Sequence, residues 1–278
     1  MHVVEANGAR IPALGLGTWT LRDERCSELV EAALALGYRH LDTARMYDNE
    51  TAVGAGLRAA KVPRREVFVT TKVWHSDLAP ADLERSAEAS LKRLDIDAID
   101  LLLIHWPNPR IPLEGTIKAL NKVRERGITR HIGISNFPVA MIEQAVAFSE
   151  APLVCNQVEY HPYLPQDKVL AACRAAGMAM VSYCPLYRDG GLLDEPAVVA
   201  AAGAHGKTPG QVVLRWHVQQ QGVVAIPRTT KKERLAENFG IFDFALSDAE
   251  MAAISALAKA NSRIVDYDFS PLPGWDKA

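Results

Sequence analysis

Short apolar runs alternate with longer stretches of helical periodicity along most of the chain. Val3 and Val4, then Asn7-Gly8, then Ile11 read as an opening hairpin. Asn-Gly is favoured there because both central residues of the tight turn need positive φ. A hairpin in this position is placed to plug one end of a barrel. Eight candidate strands follow, at 14–16, 39–41, 67–71, 99–104, 131–134, 153–158, 178–183 and 223–226. Several are apolar at nearly every position, as strands covered on both faces should be.

Helical segments separate these runs. Leu83, Ala87, Leu91 and Leu94 recur at helical spacing, with Glu88 and Lys92 paired on the other side. Thr208-Pro209-Gly210-Gln211 has the form of a capping box with proline at the first helical position, and Ser247-Asp248-Ala249-Glu250 repeats the device before a C-terminal helix. Strands alternating with helices imply parallel strands joined by right-handed crossovers. Eight such repeats predict an α/β fold, a single (β/α)8 TIM barrel, with an open doubly wound sheet as the alternative. No linker or low-complexity tract divides the chain, so 1–278 reads as one domain. The tail from Asn261 to Ala278 holds Tyr267, Phe269, Pro271, Pro273 and Trp275. It is expected to fold over the active-site mouth; fraying is the other reading.

Composition narrows the function. The 278 residues suit one barrel, a fold that takes roughly 250. A formal net charge of −2 gives no electrostatic case for nucleic acid or an anionic membrane. Cys26, Cys155, Cys173 and Cys184 form no C-x-x-C pair and have no histidine at zinc-ligand spacing. They read as buried thiols in a reducing compartment, with no metal site. The first residues lack the basic and apolar regions of a secretory signal, and no apolar run approaches membrane-spanning length. A cytoplasmic monomer with a small-molecule partner is the expectation.

Three glycine motifs are set aside. Gly54-Ala55-Gly56-Leu57-Arg58-Ala59 matches a dinucleotide pattern but continues a helix, with no strand before it. Gly15-Leu16-Gly17-Thr18-Trp19-Thr20 lacks the third small residue. Gly206-Lys207-Thr208 lacks the first glycine of a phosphate loop, since Ala201 stands in its place. Any nicotinamide cofactor is therefore held without a Rossmann motif.

Barrel active sites lie at the carboxyl ends of the strands. The polar residues there are Asp42 and nearby Tyr47, Lys72, His105, Ser135 and Asn136, Asn156 and Gln157, Tyr183, and Arg228 with Thr229. Each alone has an ordinary structural reading: an ion pair, a packed ring, a core histidine. Together on one rim they form a catalytic set. A phenol has an ordinary pKa near 10, and an ammonium at Lys72 would lower that of Tyr47. Asp42 would hold Lys72 charged, and His105 would orient a substrate carbonyl. These groups donate a proton but no electron pair, so hydride must come from a cofactor.

With these residues the chain resembles the aldo-keto reductase family over almost its whole length. The matching segments, in order, are Gly15-Leu16-Gly17-Thr18-Trp19, the run from Asp42 to Glu50, Lys72, His105-Trp106-Pro107, Gly133-Ile134-Ser135-Asn136-Phe137 and Asn156-Gln157-Val158-Glu159-Tyr160-His161-Pro162. Ile226-Pro227-Arg228-Thr229, followed by Arg234, Glu237 and Asn238, completes the set. The likeness is greatest to the bacterial branch that includes 2,5-diketo-gluconate reductases. The resemblance implies a catalytic tetrad of Asp42, Tyr47, Lys72 and His105, with Tyr47 as general acid. It implies that Ser135, Asn136 and Gln157 hold a nicotinamide carboxamide, that Tyr183 stacks on the ring and that Leu186 lies along the pyrophosphate. Gly17, Thr18, Thr229, Glu237 and Asn238 complete the implied cofactor contacts. Arg228 and Arg234, beside a helix expected to start near Lys231, suit a 2′-phosphate and favour NADPH over NADH.

Two departures stand out. The family usually has Lys-Ser where this chain has Arg228-Thr229, and Gly-x-Gly where Tyr187-Arg188-Asp189-Gly190-Gly191 follows Leu186. The expected substrate wall is aromatic, from Trp19, Tyr47, Trp74 and Trp106 with Trp275 of the tail. That suits NADPH-dependent reduction of small aldehydes, ketones and keto sugars. Arg188 and Arg263 are weaker candidates for meeting a substrate carboxylate. The alternatives are an NADPH-binding regulatory subunit and, more remotely, a barrel metal hydrolase.

Overall fold

The computed structural model describes residues 2–267 and 274–276. The chain opens with β1 (Val3–Ala6) and β2 (Ala9–Pro12), paired antiparallel. Asn7 (φ 46°) and Gly8 (φ 85°) make the left-handed turn between them. Asn7 Nδ2 donates to the carbonyls of Leu153 at 2.7 Å and Ala176 at 2.9 Å, which pins the hairpin under the barrel.

The barrel follows, strands and helices alternating but for an added helix before the last strand: β3 (Leu16–Gly17), α1 (Asp23–Leu36), β4 (His40–Asp42), α2 (Glu50–Ala59), β5 (Phe68–Val73), α3 (Pro80–Leu94), β6 (Ile99–Ile104) and α4 (Leu113–Glu125). It continues through β7 (Thr129–Ser135), α5 (Val139–Phe148), β8 (Leu153–Glu159), α6 (Asp167–Ala175), β9 (Ala179–Tyr183), α7 (Pro196–His205), α8 (Pro209–Gln219), β10 (Val223–Ala225), α9 (Lys232–Phe239) and α10 (Asp248–Ser255). The eight strands β3 to β10 are parallel and pair in sequence order. The seam closes where Gly15 N donates to Ala225 O (2.9 Å), Ala225 N to Ala13 O (2.9 Å) and Gly17 N to Pro227 O (3.0 Å). The first strand meets its two neighbours at staggered levels. Leu14 bridges Ala225, whereas Leu16 pairs with Leu41, so the regular strand begins later than the predicted 14–16.

Physical patterning explains the layers. All six residues of β6 are buried, because side chains on one face fill the barrel and those on the other meet helices. Both predicted capping boxes form, at Thr208 with Gln211 and at Ser247 with Glu250. The helix α7 lies outside the alternation and was not anticipated. It is tied to α10 by His205 Nε2 and Glu250 Oε1 at 3.0 Å. The set-aside glycine motif serves packing: a Cβ on Gly54 would lie 2.2 Å from the Leu94 carbonyl oxygen, and one on Gly56 2.5 Å from that of Ser27. Among the described residues no helix is long and apolar enough to cross a membrane.

The described part of the tail crosses the carboxyl end of the barrel. Lys259 N and Ser262 Oγ both donate to Tyr163 O, at 2.9 and 2.7 Å. The buried Glu159 carboxylate accepts from Ile264 N and Val265 N, both at 2.8 Å. Farther on, Asp276 Oδ2 accepts from Val139 N, the first residue of α5, at 2.8 Å. Trp275 stacks edge-on against Trp106, 5.8 Å between centroids. Phe269, Pro271 and Pro273 lie outside the described residues.

Candidate active site

Strand alternation aims the candidate catalytic side chains. In β5 the successive residues Thr71 and Lys72 point to opposite faces. Thr71 Oγ1 reaches outward to Glu50 Oε1 of α2 at 2.5 Å, and Arg93 Nε reaches the other oxygen of that carboxylate at 2.7 Å. Lys72 points inward. Its Nζ donates to Asp42 Oδ1 (2.5 Å), Thr43 O (3.0 Å) and Tyr47 Oη (3.3 Å). Tyr47 sits on a short 3-10 turn, Arg45–Tyr47, closed by Asp48 in the left-handed region. His105, one residue past β6, stands edge-on to Tyr47 with 5.6 Å between ring centroids. The four predicted catalytic residues therefore meet at one mouth.

Burial sets their electrostatics. Lys72 and Asp42 are 0% and 1% exposed. Burial lowers the Lys72 pKa, but Asp42 and Tyr47 outweigh it and the net shift is upward, so the ammonium is retained. For Tyr47 the expected lowering is overturned. Desolvation raises its pKa more than Lys72 lowers it, with Asp42 adding to the rise. The phenol stays protonated across the neutral range. Burial, with Lys72 and His75 nearby, pushes His105 well below its ordinary value and leaves the ring neutral. Its Nδ1 is buried and has no hydrogen-bond partner among the described residues.

A second layer escaped the sequence reading. Gln157 Nε2 donates to Asp42 Oδ2 at 2.7 Å, so a residue expected only at the cofactor also braces the tetrad. Ser135 Oγ donates to Gln157 O (2.7 Å), and Asn136 Nδ2 donates to His105 O (3.0 Å) and Ser135 Oγ (3.1 Å). Asn136 occupies the left-handed region at φ 64°, which asparagine tolerates. Tyr183 Oη donates to Asn136 Oδ1 at 2.8 Å. Asn49, unassigned from sequence, ties the β3–α1 loop through Thr18 O (2.8 Å) and Leu21 O (3.0 Å). The signal for it was an asparagine beside Glu50 in a segment otherwise read for Tyr47.

The expected phosphate end is a separate cleft of about 160 Å³, with Leu186, Arg228, Thr229, Arg234, Glu237 and Asn238 on its walls. Gly17 lies at the seam, where a Cβ would meet the Ile226 carbonyl oxygen at 2.7 Å, and Thr18 Oγ1 donates to Asp42 O at 3.0 Å. The departing loop after Leu186 folds aside. Tyr187, at φ 50°, packs its ring 4.8 Å from that of His161 and 4.9 Å from that of Tyr163. Among the described residues no cluster of three or more His, Cys, Asp or Glu is arranged to hold a metal ion.

This geometry coincides with a family assignment, because residues 13–259 match the aldo/keto reductase family profile. The chain belongs to the aldo/keto reductase family. It is an oxidoreductase of carbonyl compounds. It is 40% identical to methylglyoxal reductase DkgB of Salmonella typhimurium over 269 residues, covering 96% of this chain and 99% of that one. It is 41% identical to glyoxal reductase of Bacillus subtilis over 254 residues, covering 91% of each. Among solved structures, the Bombyx mori aldo-keto reductase in complex with NADP superposes with a TM-score of 0.89 at 35% identity, covering 95% of each chain. A structure provisionally assigned as 2,5-diketo-D-gluconic acid reductase B gives 0.97 at 46% identity, covering 100% of this chain and 98% of that one.

In this aldo/keto reductase the aromatic wall assembles around the tetrad. Trp19 lies 4.9 Å from the Tyr47 ring, and Trp74 lies 5.1 Å from that of His105. Trp106 is 2% exposed and backs Trp275, so it is more a packing residue than an open wall. Arg263 stacks its guanidinium 3.7 Å over Trp275 at the same mouth, while Arg188 reaches the Ile264 carbonyl at 3.4 Å and Asp189 Oδ1 at 3.8 Å.

Proposed function

We propose that this aldo/keto reductase uses NADPH to reduce small aldehydes and ketones, keto sugars among them, with Tyr47 as general acid, and that 1–278 acts as one domain. The series Gln157, Asp42, Lys72, Tyr47, buried up to the half-buried phenol, carries this reading. Each link is a hydrogen bond of 2.5–3.3 Å. Tyr47 holds the proton at its Oη. The Lys72 ammonium stands where charge develops once that proton leaves for the carbonyl oxygen, and Asp42 with Gln157 keeps it from turning away. Neutral His105 orients the carbonyl through a ring N–H. Trp19 and Trp74 narrow the mouth and exclude water.

The residues present fit the cofactor. Ser135, Asn136 and Gln157 are buried side by side next to the tetrad, and Tyr183 offers a ring face beside Asn136. Two guanidinium groups, Arg228 and Arg234, border the outer cleft, a donor set suited to a 2′-phosphate. When bound, the reduced nicotinamide supplies the hydride that these side chains lack. The relatives named for methylglyoxal and glyoxal make small dicarbonyl compounds the first substrates to assay.

The test is Tyr47→Phe. Losing a general acid should lower kcat by about 10²–10⁴-fold. NADPH affinity, read by fluorescence titration, should stay within about twofold because the phenol is not among the proposed cofactor contacts. Unchanged turnover in this variant would remove Tyr47 as the acid.

A further inference from the structure

The corner between β3 and α1 is strained. Thr20 sits at φ 65°, a region that a β-branched residue rarely enters. Such outliers persist only where the surroundings over-determine them. Two braces hold this one. On the inside, Asn49 donates to Thr18 O and Leu21 O, and its Oδ1 accepts from Thr43 Oγ1 at 2.7 Å. On the outside, Arg228 Nε donates to Trp19 O at 3.1 Å, and Arg228 Nη2 donates to Thr20 Oγ1. The arginine stem passes over Gly17, whose Cβ position lies only 3.7 Å from Arg228 Cβ. The neighbouring loop is clipped the same way, with Arg25 Nη2 donating to Thr230 O at 2.6 Å. The braced corner carries Trp19, the ring that packs on Tyr47.

We infer that Arg228 is a positioning residue for Trp19: its guanidinium fork braces the Trp19–Thr20 corner as well as bordering the cofactor cleft. The part of this that concerns substrate rests on the function proposed above. A lysine presents one point charge and no planar fork, so it cannot fix a carbonyl and a hydroxyl at a set spacing. One side chain thus serves both ends of the mouth, and a change there moves the substrate KM along with cofactor affinity.

Hydrogen–deuterium exchange of the cofactor-free enzyme decides the brace. Leu21 N donates to Thr18 O at 3.0 Å, so its amide reports on the corner. In Arg228→Ala, exchange across 18–22 should accelerate by about five- to tenfold, and in Thr20→Val, which removes only the hydroxyl acceptor, by about two- to fivefold. Arg234→Ala, from the same cleft, should leave that exchange unchanged. Wild-type exchange in Arg228→Ala, or equal acceleration in Arg234→Ala, overturns the inference. The kinetic arm uses methylglyoxal at saturating NADPH. KM should rise about three- to tenfold in Arg228→Ala and Thr20→Val, and in Thr20→Val kcat should stay within twofold. Arg228→Lys should recover NADPH affinity without recovering KM. Unchanged KM in Thr20→Val sinks the link to substrate. A wild-type enzyme with no turnover would defeat the proposed function instead, and the exchange result would still judge the brace.

Discussion

The two ends of the mouth are built on opposite principles. At the tetrad end Asp42, Lys72, Ser135, Asn136 and Gln157 are each no more than 2% exposed, and their hydrogen bonds cross from strand to strand. At the phosphate end Arg228, Lys231, Lys232 and Arg234 are exposed on a loop and one short helix. A buried network is pre-organised for charge that develops during reaction, but no member can be removed without stranding another. Exposed cations other than the bracing Arg228 can be exchanged at little cost to the fold, so cofactor preference is the more easily altered property.

The sharpest way to break that contrast is Lys72→Met. The Asp42 carboxylate would be left buried with Gln157 as its remaining side-chain partner. Breaking a buried pair this way should cost about 3–5 kcal/mol, read as a lower midpoint in denaturant. A midpoint equal to wild type would show that the tetrad does not bind its own members together.

Acid should attack the fold through its buried imidazoles, of which His105 stands at the tetrad end. His40, His105 and His217 all have pKa values lowered primarily by burial, His217 to about 3. Their unfolded forms bind protons near the ordinary 6.5 while the folded forms do not. Stability is therefore complete above pH 6.5 and is lost as pH falls from there, for His217 down toward 3, by up to about 1.4 kcal/mol per pH unit for each such group. Thermal melts between pH 7 and 4 measure the slope, and a flat profile would contradict neutral buried imidazoles.

The phosphate end predicts the reverse behaviour. Arg234→Ala should weaken NADPH by about 1.5–3 kcal/mol, the range for a hydrogen bond to a charged group, while NADH affinity and melting temperature stay as they were. Equal losses for both cofactors would deny Arg234 a 2′-phosphate role.

How much of this was legible depended on whether the information was periodic, local or long-range. The strand at 99–104 was legible to the residue, because a run apolar at every position but Asp100 is what burial on both faces requires. The capping boxes were legible because they are local. The gathering of the candidate catalytic residues followed from topology: polar residues at strand ends must share a rim once the sheet closes. What stayed hidden needed three dimensions. Gln157 and Asp42 are 115 positions apart, and nothing in either segment announces their bond. The direction of the Tyr47 shift was also hidden, since an adjacent ammonium was visible in sequence and the depth of burial was not. Arg228 shows the same limit, because a basic residue at a strand end reads as a phosphate ligand until its fork is seen on Trp19.

The smallest effect separates the two ends within one motif. Thr208 and Ser247 cap different helices with the same reciprocal pair of bonds. Either alanine substitution should cost about 1 kcal/mol of stability. Only Thr208 borders the cofactor cleft, where its Oγ1 also donates to Glu237 Oε1 at 2.8 Å. Without that bond Glu237 is free to turn toward the cleft and repel an anion. Thr208→Ala should therefore weaken NADPH by about twofold, a few tenths of a kcal/mol, and Ser247→Ala should leave it unchanged. Matched stability losses with unmatched affinities would place Glu237's orientation among the determinants of cofactor binding. Identical affinities in both variants would confine Thr208 to capping.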